Sequence, residues 1–188
     1  MPLNIPNLLT WLRIVMIPLV VGVFYFPENW LSAREQNLFA TVMFTFAAIT
    51  DWLDGYLARR LNQASAFGAF LDPVADKLMV AAALILLVEF SRVHAIVAMI
   101  IIGREIAISA LREWMAKVGE AKSVAVNVFG KIKTVSQMIA IPLLLYHEEI
   151  SWFNPQDWGT WLIYFAAGMT LISMIYYLMK AGRGAAGA

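Results

Sequence analysis

The chain has 188 residues, 61% of them hydrophobic and only 14% charged, with a mean hydropathy of +0.71. Soluble domains carry about a quarter charged residues, and so short a chain has too little interior to hide this much apolar surface from water, so the solvent is lipid. A net charge of +1 offers no footprint for nucleic acid, and the absence of cysteine excludes disulfides, thiolate catalysis and thiolate metal sites.

A membrane-crossing helix needs about 20 mostly apolar residues. Six stretches qualify: 5–26, 38–59, 68–89, 93–114, 125–146 and 158–179. The expected fold is therefore an all-α integral membrane protein with six transmembrane helices. Residues 1–180 form one domain, and "AGRGAAGA" at 181–188 is a short flexible cytoplasmic tail. No basic stretch precedes the first apolar run, so that run is read as retained rather than cleaved. Lysine and arginine gather after stretches two and four and at the C-terminus, as Arg60, Lys117, Lys122, Lys180 and Arg183. The opposite loops hold Arg34 and Arg92. This asymmetry puts both termini in the cytoplasm. Trp30, Trp152 and Trp158 then form an outer interfacial belt, and His94 and His147 are outer-end residues without a catalytic role.

The first stretch opens with "NIPNLLTWLR", which carries Asn7, Thr10 and Arg13. The second ends in "DWLDGYLARR", placing Asp51 and Asp54 three residues apart, followed by Gly55, Ala58 and Arg59. The third begins with "GAFLDPVADK", which contributes Gly68, Asp72, Asp76 and Lys77. Residues three or four apart share a helix face, so each aspartate pair points one way. At a rise of 1.5 Å per residue, Asp51 lies about 14 Å from its helix end and Asp76 about 12 Å from its own. The short connection makes these helices antiparallel neighbours, and four carboxylates converge.

An aspartate in a bilayer costs roughly 2.5–3.5 kcal/mol on insertion scales. Four repelling anions must therefore be protonated or hold cations. Oxygen ligands without histidine or cysteine suit a hard ion, Mg²⁺ or Mn²⁺, and two ions on four carboxylates form a clamp for phosphoryl chemistry. Simple pairing with Arg59, Arg60 and Lys77 does not account for the matched depths. Pro73 leaves two possibilities open: a helix that bends there, or one that starts there with Asp72 as its cap.

The pattern Asp51-x-x-Asp54-Gly55-x-x-Ala58-Arg59, eight residues, then Gly68-x-x-x-Asp72-x-x-x-Asp76 resembles the CDP-alcohol phosphotransferase signature at each of its eight positions. "NIPNLLTWLR", "GREIAISALREWMA" and "GKIKT" extend the resemblance towards the bacterial phosphatidylglycerophosphate synthase branch of that family. The resemblance implies a homodimer of the bacterial inner membrane with its active site open to the cytoplasm. It implies transfer of the phosphatidyl group from CDP-diacylglycerol to sn-glycerol 3-phosphate, releasing CMP. It also implies that Asp51, Asp54, Asp72 and Asp76 hold the metals, Asp76 being the general base as well. Gly55, Ala58, Arg59 and Gly68 are implied to line the nucleotide pocket, with Asn7, Thr10 and Ser65 reaching the same substrate.

The signature specifies the donor better than the acceptor. Arg13, Lys77, Arg104, Arg112, Lys131 and Lys133 fall within apolar stretches or at their cytoplasmic ends. Such a cluster suits an acceptor bearing its own phosphate; snorkelling and pairing with Glu105 and Glu113 are the simpler roles for the same residues. Inositol phosphate, phosphatidylglycerol and serine are the competing acceptors. A cation transporter is the competing class, since intramembrane carboxylates often mark ion paths, although no internal repeat is visible. The tyrosines of the last stretch, Tyr164, Tyr176 and Tyr177, read as lipid contact or packing.

Overall fold

The computed structural model describes residues 5–61, 66–117 and 128–185; within these, the side chains of 5, 6, 52, 54–61, 66, 67, 69, 128, 129 and 180–185 are not described. The described residues form six α-helices and no strand. Helix α1 spans Ile5–Gly22 and ends in a 3₁₀ turn, Val23–Tyr25. Then follow α2, Ala33–Leu61; α3, Ala66–Glu89; α4, Ala95–Lys117; α5, Val128–Tyr146; and α6, Pro155–Ala185. Two segments among them, Asn7–Tyr25 and Pro155–Met179, are long and apolar enough by themselves to cross a membrane.

Local chemistry explains the ends. Helix α2 starts at Ala33, earlier than the apolar stretch suggests, because Ser32 and Glu35 form a reciprocal cap. The Ser32 N–H donates to Glu35 Oε2 at 2.9 Å and the Glu35 N–H to Ser32 Oγ at 3.4 Å. The Ser32 hydroxyl, donating to Glu35 Oε2 at 2.7 Å, and then the Ser32 N–H hold the Glu35 carboxyl below its ordinary range. Helix α3 closes through Ser91, at φ 57°, with the Arg92 N–H bonded to Leu87 O at 2.8 Å and the Ser91 N–H to Val88 O at 3.0 Å. Asn154 Oδ1 caps α6 by accepting from the N–H groups of Gln156 and Asp157. That helix continues to Ala185, past the point where the composition suggests a tail.

Helix α3 runs through Pro73 without interruption, so Asp72 does not cap a helix that begins there. A second expectation changes more. Helices α2 and α3 are not close neighbours over their described residues; each packs far more extensively on α1 than on the other. Three consecutive elements can take this order because the α2–α3 link fixes only their adjacent ends, whereas the apolar stripe of α1 can bury against both. Helix α5 lies against α6 and α2, while α4 packs on α6 and α3.

One apolar cluster, including Val20, Phe44, Leu84, Ile101, Ile141 and Leu144, fills the bundle and reaches the cavity at Phe44. Lipid removes most of the hydrophobic drive between such helices, so close packing and polar contacts must hold them together. Gly159 shows the first: a Cβ there would stand 2.7 Å from Leu144 Cγ and 3.2 Å from Ala140 O, so α6 meets α5 where a side chain is missing. Arg92 shows the second. Its Nη1 donates to Leu144 O at 3.1 Å and Leu145 O at 2.8 Å, and its Nη2 to Asn37 Oδ1 at 2.8 Å. The last carbonyls of α5 lack helical partners, and Arg92 supplies them while tying α5 to α2.

Candidate active site

Helix α1 builds one wall of the site. Asn7, Thr10 and Arg13 recur at i, i+3 and i+6, so they form a polar stripe, and all three are buried. Below them the stripe turns apolar as Met16, Val20 and Val23. Thr10 and Arg13 point towards the aspartates of α2 and α3. The Thr10 hydroxyl donates to Asp72 Oδ1. Arg13, 1% exposed, places Nη1 3.0 Å from Asp51 Oδ1 and 2.5 Å from Asp76 Oδ1. The two carboxylates thus reach one nitrogen from separate helices. Their agreement in depth is what the helical rise dictates, but the group between them comes from α1.

The structure brings Arg13 and Thr10 to the carboxylates: Arg13 pairs with Asp51 and Asp76, and Thr10 donates to Asp72. Both belong to the carboxylate framework, because partly buried carboxylates require donors and α1 is the helix packed against α2 and α3. Gly68 is buried on α3, one turn before Asp72. Asp54, Gly55, Ala58 and Arg59 lie on helical backbone of α2, but their side chains fall outside the described residues, as does the whole of Ser65.

A cavity of ≈ 240 Å³ opens beside Arg13. Asp51, Asp76 and Lys77 line it, together with Glu105 of α4 and Lys133, Thr134 and Gln137 of α5. Lys133 is only 3% exposed and donates to Glu105 Oε1. Arg104 Nη1 reaches the same Oε1 at 3.1 Å, while its Nη2 donates to Ser173 Oγ of α6 at 3.1 Å. Glu105 is thus a shared counter-ion for two buried cations.

The other basic candidates separate clearly. Arg112 donates from Nη2 to the Tyr177 hydroxyl at 3.3 Å, and its guanidinium lies 5.5 Å from that ring's centre. Arg104 lies 5.8 Å from the same ring. Tyr177 is fully buried and anchors both arginines to α6. Neither arginine lines the cavity, although Arg104 reaches it through Glu105. Lys131 is exposed on the opposite face of α5 from Lys133, as two residues' separation on a helix requires. Glu113 pairs with Lys117 at 2.9 Å on the surface. Glu105 and Tyr177 are the residues that sequence reasoning undervalued. The spacing of Arg104 and Arg112, eight apart on one side of α4, was the signal that could have prompted a search for a shared partner.

The donor set fits a hard divalent cation, because Asp51, Asp72 and Asp76 offer only oxygens and two of them converge on one positively charged atom. Among the described residues no three carboxylate, histidine or cysteine side chains gather into a complete cage. Asp54, one turn beyond Asp51, is the member of the set whose side chain lies outside them.

Comparison with known proteins agrees with this chemistry. A family model described as CDP-alcohol phosphatidyltransferase matches residues 3–172. A protein of Salmonella choleraesuis (strain SC-B67), named CDP-diacylglycerol--glycerol-3-phosphate 3-phosphatidyltransferase, is 49% identical over 186 residues, covering 98% of this chain and 97% of the relative. A protein of the same name from Escherichia coli (strain K12) is 49% identical over 183 residues, covering 96% of each.

Proposed function

The chain belongs to the CDP-alcohol phosphatidyltransferase family, and from that premise we propose how its residues carry out phosphatidyl transfer. It is a CDP-diacylglycerol-dependent phosphatidyltransferase of phospholipid synthesis, with sn-glycerol 3-phosphate as acceptor and phosphatidylglycerophosphate and CMP as products. The observation that carries the site assignment is one cavity holding Asp51 and Asp76 together with the buried Lys133.

Asp76 takes the proton from the attacking glycerol hydroxyl. A hydroxyl is a weak nucleophile at neutral pH and needs such a base. Oxygen attacks the phosphatidyl phosphorus, the phosphorus–oxygen bond to CMP breaks, and the electron pair leaves with CMP. Arg13 fixes the orientation of Asp76 and Asp51 from the buried side. Asp51, Asp54, Asp72 and Asp76 would hold two Mg²⁺ or Mn²⁺ ions, which would supply positive charge to the pyrophosphate and to the departing CMP. Gly55, Ala58, Arg59 and Gly68, with Asn7 and Ser65, form the nucleotide pocket. Lys133 and Lys77 receive the acceptor's phosphate, with Arg104 and Arg112 supporting from behind.

The six helices cross the bacterial inner membrane with both termini and the cavity on the cytoplasmic side, and the protein acts as a homodimer. Purified protein in detergent, given CDP-diacylglycerol, should release CMP only when Mg²⁺ or Mn²⁺ and glycerol 3-phosphate are both present. Release with serine, inositol phosphate or phosphatidylglycerol instead would reassign the acceptor. No release with any of them, alongside cation flux in liposomes, would favour a transporter.

A further inference from the structure

Glu105 has an unusual position for an anion in a site meant to receive one. Its carboxylate lines the cavity, accepts from the buried ammonium of Lys133, and accepts from Arg104 Nη1 at 3.1 Å. Among the described residues that line the cavity, the cations Arg13, Lys77 and Lys133 are matched one for one by Asp51, Asp76 and Glu105. Arg13 is engaged by the two aspartates. Among the described residues, Glu105 is the carboxylate that pairs with Arg104 and Lys133 of α4 and α5. A carboxylate and a phosphate offer the same thing to an ammonium and a guanidinium: negatively charged oxygens at hydrogen-bonding distance.

We propose that the Glu105 carboxylate is a built-in stand-in for the acceptor's phosphate, held by Lys133 and Arg104 until a phosphorylated acceptor displaces it. Burying Lys133 at 3% exposure without a partner is expensive, so the empty site needs an internal anion to stay folded. The same anion makes the site selective. An acceptor bearing a phosphate repairs the contacts it breaks; a neutral alcohol or a zwitterion leaves two buried cations short of an oxygen. One neighbouring group assists the exchange. Among the described residues, Gln137 Oε1 on the cavity wall is buried without a hydrogen-bond partner. It is an acceptor available to the incoming acceptor's own hydroxyl.

This inference rests on the glycerol 3-phosphate reading above, so wild-type CMP release is measured first; an inactive wild type across all acceptors overturns that reading and this one with it. In an active enzyme, Glu105→Gln keeps the shape and removes the competing charge. Its KM for glycerol 3-phosphate should fall about tenfold, the change that corresponds to 1.4 kcal/mol, and inorganic phosphate should inhibit at correspondingly lower concentration. The KM for CDP-diacylglycerol should not follow. A purely structural Glu105 predicts a lower kcat with acceptor KM unchanged or raised, and that result overturns the proposal. Should Glu105→Gln not accumulate in the membrane, Glu105→Asp keeps the charge and withdraws it by one methylene. It should lower the acceptor KM in the same direction by a smaller factor, and an unchanged or raised KM there counts against the proposal equally.

Discussion

Arg13 Nη1 stands 2.5 Å from Asp76 Oδ1, an ion pair that joins α1 to α3 across the middle of the site. The same nitrogen lies 3.0 Å from Asp51 Oδ1, so one buried guanidinium sets the spacing of two carboxylates on two helices. A hydrogen bond to a charged group contributes about 1.5–3 kcal/mol. Arg13→Met should therefore lower stability by roughly that amount, discounted because both aspartates are partly exposed. Turnover should fall further, on the order of 10²-fold, since small misplacements at reacting groups are costly. Unfolding in detergent and CMP release, measured on the same preparation, check both halves. Wild-type turnover in Arg13→Met would separate Arg13 from the carboxylate geometry.

Asp76→Asn should abolish turnover while CDP-diacylglycerol still binds. General-base catalysis alone contributes about 10²–10⁴-fold, and the amide cannot accept the hydroxyl proton. Equilibrium binding of the lipid nucleotide, set beside CMP release, is the measurement. Appreciable turnover in this variant would remove Asp76 from the role of base.

Lys133 and Lys131 provide a matched pair, one buried at the cavity and one exposed on the other side of α5. Lys133→Met should raise the KM for glycerol 3-phosphate by about tenfold or more, as expected for a charge-assisted contact of 1.4 kcal/mol or more. Lys131→Ala should change it less than about twofold, a surface charge being worth only a few tenths of a kcal/mol. Equal effects from the two lysines would show that overall charge, rather than the cavity wall, governs acceptor binding.

Arg92 lies far from the aspartates in the sequence but holds the end of α5 in place. Arg92→Ala leaves the Leu144 and Leu145 carbonyls and Asn37 Oδ1 without that donor, and should cost about 2–4 kcal/mol by loss of charge-assisted bonds. The checking measurement is the thermal midpoint in detergent. Retention of the wild-type midpoint would mean water replaces the guanidinium without loss.

His147, at φ 56° just beyond α5, gives a pH dependence of known sign. Partial burial, then the nearby Arg92 charge, lower its pKa from the ordinary 6.5, with Glu148 opposing. The unfolded chain therefore takes up a proton before the folded one does. His147 contributes stability that is complete above pH 6.5 and is lost as pH falls through the lowered folded value. His147→Gln should flatten the fall in thermal midpoint between about pH 7 and pH 5. An unchanged slope would assign the acid sensitivity to other groups.

Much of this site was legible beforehand because its residue types are costly in lipid. An aspartate or arginine within an apolar run stands out, and helical spacing then says which share a face. That reasoning singled out Asp51, Asp72 and Asp76, as well as Lys133, and the structure places Asp51 and Asp76 within reach of one atom. For Thr10 and Arg13, expected at the substrates, the sequence did not show that Asp72, Asp51 and Asp76 lie beside them. Tyr177 was read as packing, and nothing in its local sequence shows that Arg104 and Arg112 lie against its ring.

Hydropathy, helical period and ligand type are local properties, so the apolar character, the helices and the chemistry of the donors are legible in the sequence. It also determined the family, through eight spaced residues that α2 and α3 must present together. The packing of the helices fixed which residues partner one another. It set α1 against both carboxylate helices, put Arg13 between Asp51 and Asp76, and gave Lys133 and Arg104 a single counter-ion in Glu105. The physical reason is that a buried charge takes the nearest opposite charge in space. Which one is nearest depends on how helices far apart in the sequence pack together.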